Sequence, residues 1–91
     1  MNAMNAKKVY IWRLAEFLAA HKMQMSGEEL ADHLNRNHFM TGYGTQYKGK
    51  RGTYTLIRET YTWLNDELGL PDDAGSVAVA YVKPDGSYAY K

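Results

Sequence analysis

The chain has 91 residues, of which 45% are apolar and 23% charged, with eleven basic and ten acidic side chains and a formal net charge of +1. These are the proportions of one soluble globular domain and exclude a disordered chain. It has no cysteine, which excludes disulfides and thiolate metal sites. No apolar run approaches the ~20 residues that span a bilayer.

Residues 1–6 lack the apolar core of a signal peptide and read as a flexible lead-in to one domain over residues 7–91, expected in the cytoplasm. A first helix is predicted over residues 7–22, where Ile11, Leu14, Ala15 and Leu18 share a stripe. Tyr10 and Phe17 widen it. Trp12 lies off the stripe, as a flank of the core or an exposed anchor.

The second helix has the clearest start. Ser26 followed by Glu29 is a capping box, and Met25 with Leu30 suits a hydrophobic staple. Leu30, Ala31 and Leu34 face inward, and the helix is predicted to end near Asn37. Four glycines (Gly42, Gly44, Gly49, Gly52) then interrupt regular helix. Tyr43, Thr45 and Tyr47 alternate as in a short extended piece.

A third helix is predicted from Thr53 to Leu68. Tyr54, Ile57, Tyr61, Leu64 and Leu68 form its buried stripe, with Leu56 and Trp63 on a second apolar edge. Thr55, Arg58, Glu59, Thr62 and Asp66 form its polar face. Gly69 and Pro71 stop it, and Leu70 is placed to fold back on Leu64. Residues 76–91 read as a β-hairpin: Val77–Val82 as one strand, Lys83-Pro84-Asp85-Gly86 as the turn, and Ser87–Tyr90 as the return. The expected fold is α+β and mostly helical, three helices followed by a C-terminal hairpin, the order of a winged helix. Ile11, Leu14, Leu18, Leu30, Leu34, Ile57, Tyr61, Leu64 and Val79 are the expected core.

The charge layout carries the functional signal. Residues 36–58 hold Arg36, Lys48, Lys50, Arg51 and Arg58 and no carboxylate, whereas residues 59–73 hold Glu59, Asp66, Glu67, Asp72 and Asp73 and no base. A basic, glycine-rich connection between two amphipathic helices is the layout of a helix-turn-helix, in which bases hold phosphates and a helix reads a groove. Arg36, Tyr47, Lys48, Lys50, Arg51, Thr53, Thr55, Arg58 and Thr62 are the candidate nucleic-acid contacts. Glu59 and Asp66 argue the other way, since they repel phosphate. A solvated loop is the plainer account of the lysines.

Residues 29–64 also resemble a known pattern. Glu29-Leu30-Ala31-Asp32-His33-Leu34-Asn35-Arg36-Asn37, then Thr41, Gly44 and Tyr47, then Thr53 and Ile57 look like the helix-turn-helix segment of large serine recombinases. The chain departs from that pattern in a longer stretch between Tyr47 and Thr53, and in Arg58 where the family has a large apolar residue. No part of the recombinase catalytic domain is present in this sequence, so the resemblance implies DNA contact by the third helix and not strand exchange.

No catalytic motif is present, and His21, His33 and His38 do not have metal-site spacing, so no enzyme activity, cofactor or metal is expected. The sequence points to a small bacterial-type regulator of transcription or accessory factor that binds double-stranded DNA. The alternative is a protein-interaction module of the same fold. Trp12 and Trp63 are its candidate partner residues, and a homodimer is expected because Tyr and Trp favour interfaces.

Overall fold

The computed structural model describes residues 3–91 and is α+β, mostly helical. Helix α1 (Ala3–Ala20) leads through a two-residue strand β1 (Met25–Ser26) into α2 (Gly27–Arg36). A long connection reaches α3 (Thr53–Thr62), which continues through a π-helical turn (Trp63–Glu67). Helix α4 (Pro71–Ala80) and strand β2 (Tyr81–Val82) follow. Among the described residues no helix is long and apolar enough to cross a membrane.

Helix α1 starts four residues before its predicted start at Lys7, so Ala3–Ala6 of the expected lead-in are helical; residues 1 and 2 lie outside the described residues. Its buried stripe is Ile11, Ala15 and Leu18, with Tyr10, Trp12 and Leu14 at its margins. Phe17 is exposed instead and stacks on His21, ring centroids 4.3 Å apart.

The start of α2 follows the sequence reading. Glu29 N donates to Ser26 Oγ at 3.2 Å and Ser26 N to Glu29 Oε1 at 3.3 Å, closing the capping box. Met25 and Leu30 are both buried beside it. Gly27, the first residue of α2, lies against the start of α3: a Cβ there would sit 2.6 Å from Thr53 Oγ1 and 2.9 Å from Tyr54 Cζ. Only glycine allows this approach.

The third helix corrects the expected stripe. Its buried positions are Thr53, Ile57, Thr60 and Leu64, while Tyr54 and Tyr61 are half-buried and Leu68 is exposed. Both buried threonines satisfy their hydroxyls locally: Thr53 Oγ1 donates to Lys50 O and Thr60 Oγ1 to Leu56 O, each at 2.7 Å. The π turn explains Leu68. Leu68 N bonds Trp63 O, five residues back, so the helix advances less per residue there and its later positions rotate out of phase.

The C-terminal hairpin is not found in its expected form. Ser76–Ala80 belong to a fourth helix. Pro71 at its first turn, with Asp72 and Asp73 facing the positive helix end, is a start signal that a stop reading of Pro71 overlooks. The alternating Val77-Ala78-Val79-Ala80 is therefore helical, burying Ala74, Val77 and Ala80 and leaving Val79 45% exposed. Strand β2 pairs in parallel with β1, Met25 opposite Tyr81 and Ser26 opposite Val82. The return segment is reduced to one antiparallel bridge, Val82 with Tyr88, around a tight turn closed by Gly86 N to Lys83 O at 2.9 Å.

Helix α4 packs most extensively on α1. Small buried residues on both (Ala15, Ala74, Ala80) suit close approach. Tyr81 is wholly buried under α1, and its hydroxyl donates to Ile11 O at 2.8 Å.

Candidate nucleic-acid interface

The connection between α2 and α3 is long but tied at several points. Asn35 on α2 holds Tyr47 by both backbone groups: Asn35 Nδ2 donates to Tyr47 O and Tyr47 N donates to Asn35 Oδ1, each at 2.8 Å. The side-chain amide thus replaces a strand neighbour. Lys7 reaches across from α1 and donates to Met40 O and, at 2.8 Å, to the Tyr47 hydroxyl. Between these ties, residues 41–45 form a compact turn rather than an extended piece. Thr41 N bonds Thr45 O at 2.8 Å, and the two threonine hydroxyls meet at 2.9 Å. The connection ends at Gly52, whose φ of +81° precedes the first turn of α3 and favours glycine.

These ties set the loop beside the outward face of α3 and leave two adjoining grooves. The larger, of about 720 Å³, lies between the loop and α3 and takes in Lys7, Tyr43, Tyr47, Lys48, Arg51, Thr55, Leu56 and Glu59. The smaller, of about 550 Å³, lies on the other flank of α3 against α1 and the C-terminus, with Lys8, Arg58, Thr62, Trp63, Glu67 and Tyr90. Thr55 and Glu59 border both. Helix α3 is therefore a ridge between two grooves, with Thr55, Arg58, Glu59 and Thr62 exposed along it.

Five bases from three separate segments border this surface, against two carboxylates, Glu59 and Glu67. Among the described residues the one ion pair is Arg13 with Glu16 at 3.6 Å. Among the described residues none of the five bases forms an ion pair with a carboxylate. Arg58 makes one long bond, Nη2 to Thr55 Oγ1 at 3.4 Å.

The sequence-predicted contacts divide accordingly. Lys48, Arg51, Thr55, Arg58 and Thr62 lie on the grooves and are exposed. Lys50 is exposed next to them, with its carbonyl accepting from Thr53. Tyr47 borders the larger groove but is only 7% exposed. Thr53 is fully buried, so its side chain fixes the start of α3 instead of facing outward. Arg36 stands apart at the end of α2, its Nε donating to Asp32 O at 3.4 Å. Trp12 and Trp63 meet edge to face at 6.4 Å, both half-buried, and Lys8 Nζ sits 5.7 Å from the Trp63 ring centre.

Lys7 and Lys8 belong to the surface and are missing from the sequence-based set. They are far from the basic stretch in the chain, and only the packing of α1 brings them to it. No protein-family model, curated protein or solved structure matches this chain.

Proposed function

We propose that this protein binds double-stranded DNA, as a small regulator or accessory factor. In this reading α3 enters the major groove and the α2–α3 loop grips the adjacent backbone. The observation that carries it is the convergence of Lys7, Lys8, Lys48, Arg51 and Arg58 around the exposed ridge of α3, with no ion pair to a carboxylate for any of them among the described residues. The N-terminal turn of α3 adds its own positive potential. Lys48, Lys50 and Arg51 then hold phosphates, while Thr55, Arg58 and Thr62 face base edges, with arginine suited to guanine and threonine to the thymine methyl. The resemblance of residues 29–64 to the recombinase helix-turn-helix segment, read from the sequence, supports the same reading. The alternative, a protein-interaction module built on Trp12 and Trp63, has less support, because the two indoles already cover one another.

Fluorescence anisotropy with duplex DNA across a salt series tests the proposal. Affinity is expected to fall steeply with salt, the logarithmic slope growing by about 0.9 per neutralised phosphate. Replacing Lys48, Lys50 and Arg51 with alanine should weaken binding to every duplex alike and flatten that slope by about one unit per lost contact. A triple variant that binds like the parent, or a parent that binds no duplex at low salt, rejects the reading.

A further inference from the structure

Tyr43 is 97% exposed, the most exposed large apolar residue among the described residues. Large rings are normally buried, because exposing one forfeits the hydrophobic gain of folding. A flexible loop tip would account for this, but the backbone around Tyr43 is fastened. Tyr43 N and Thr45 N both donate to Thr41 Oγ1 at 3.3 Å, and Gly44 N donates to Thr41 O at 3.0 Å. The Thr41–Thr45 backbone bond and hydroxyl pair close the same turn. Just outside it, Lys7 holds Met40 and Asn35 holds Tyr47. The ring is thus presented to solvent by a turn with little freedom to move. It also borders the larger groove, whose lining includes Lys48 and Arg51.

We propose that Tyr43 is a base-stacking contact: it places its ring against a nucleobase of the DNA whose phosphates Lys48 and Arg51 hold. The inference rests on the DNA reading above and adds a second contact element to it. With its backbone already held, Tyr43 gives up only side-chain rotamer freedom on stacking, and a base offers its π-face once its step is opened. The neighbouring charges supply the attraction that brings a polyanion to it. The C-terminal turn, where a winged helix would carry its wing, is poorly suited to the task. Its tip exposes Asp85, whose carboxyl is held below the usual carboxylate range by hydrogen bonds from Ser87 and so stays ionised. The turn that reaches for DNA beside the recognition helix is therefore the one between α2 and α3. The opening of a base step costs least at pyrimidine–purine steps, which unstack readily, so these are the preferred partners of the ring.

The test uses the full chain with mixed-sequence duplexes carrying 2-aminopurine at a TA step, whose fluorescence rises on unstacking. The parent, Tyr43→Phe and Tyr43→Ala are compared by anisotropy across salt and by 2-aminopurine emission. Stacking on an unpaired base is worth about tenfold or more in affinity, and opening a duplex step takes back part of that, so about tenfold is the net change expected at an easily opened step. Tyr43→Ala is expected to bind about tenfold more weakly, with an unchanged salt slope because no phosphate contact is lost, and without the emission change. Tyr43→Phe should keep both, since the ring and not the hydroxyl makes the contact. Equal thermal melts are expected for all three, because the side chain touches almost nothing. If Tyr43→Ala binds and reports like the parent, the stacking contact is overturned while the DNA reading stands. If the parent binds no duplex, both are overturned.

Discussion

A methyl group on Gly27 would lie 2.6 Å from Thr53 Oγ1 and 2.9 Å from Tyr54 Cζ, closer than any real contact. Gly27→Ala must push the first turn of α3 away from α2, and Thr53 cannot yield because its hydroxyl is committed to Lys50 O. We expect a loss of about 1–3 kcal/mol in denaturant melts, in the range of overpacked cores. Replacing Ser26 with alanine, by comparison, should cost roughly 1 kcal/mol, as a lost cap does. The two positions differ in legibility. Ser26 acts within its own helix, and its spacing to Glu29 is visible in the chain. Gly27 matters because of what lies opposite, and no local pattern reveals that. Tyr81 is a similar case. Burial, followed by the nearby Tyr10, raises its hydroxyl well above the ordinary tyrosine range. Its neutral form is the one the fold stabilises, so that contribution is complete below the unfolded value near 10 and is lost as pH climbs past it. Melts taken at rising alkaline pH should show this loss in the parent. Tyr81→Phe should cost about 1 kcal/mol at neutral pH and show less alkaline decline.

Among the elements, α4 separates two readings of the same letters. Val77-Ala78-Val79-Ala80 alternates as a strand does, yet the structure buries Val77 with Ala74 and Ala80 and exposes Val79. Pro71 and two aspartates start a helix a few residues earlier, and the 3.6 period then decides which valine is inside. Val79→Lys is expected to stay within about 0.5 kcal/mol of the parent, as surface changes do. Val77→Lys should cost several kcal/mol, because it buries a charge without a partner. Thermal melts of the two variants distinguish the helix from a strand, in which both positions would share one face. The third helix carries a related lesson. Thr53 and Thr60 are fully buried, and a reading that counts threonine as polar rotates the stripe toward Tyr54 and Tyr61. The outward face of Thr55, Arg58, Glu59 and Thr62 was legible all the same, since those positions are exposed under either stripe. The ends of α1 and α2 offer a gain. In each, a residue with positive φ, Lys22 (54°) or His38 (62°), takes the place where glycine usually ends a helix. The bonds Met23 N to Leu18 O and Phe39 N to Leu34 O complete the two motifs. Lys22→Gly and His38→Gly should each raise stability by up to about 1 kcal/mol.

At the scale of the whole molecule, the basic surface is assembled from parts the chain keeps far apart. The loop and α3 bases are contiguous in sequence and stand out from a balanced composition. Lys7 and Lys8 do not, and they reach the same surface only because α1 crosses beside α3. Their roles there are different. Lys7 is fastened to Met40 O and the Tyr47 hydroxyl, with its ammonium 5.2 Å from the centre of the Tyr47 ring, so it supports the loop as well as adding charge. Lys8 has no hydrogen bond or ion pair among the described residues and rests over Trp63, so its charge faces the smaller groove and little else depends on it. Replacing each with alanine separates support from charge. Lys8→Ala should leave the melting temperature within about 1 °C, since surface changes are nearly neutral, and should weaken duplex binding while lowering the salt slope by about one unit. Lys7→Ala should lower the melting temperature by several degrees, because the Tyr47 hydroxyl and Met40 carbonyl lose their donor. Its binding loss should then exceed that of Lys8→Ala, through a loosened loop that no longer holds Lys48 and Arg51 beside α3. Two variants with the same melts and the same binding would show that Lys7 contributes charge alone and that the loop stands without it.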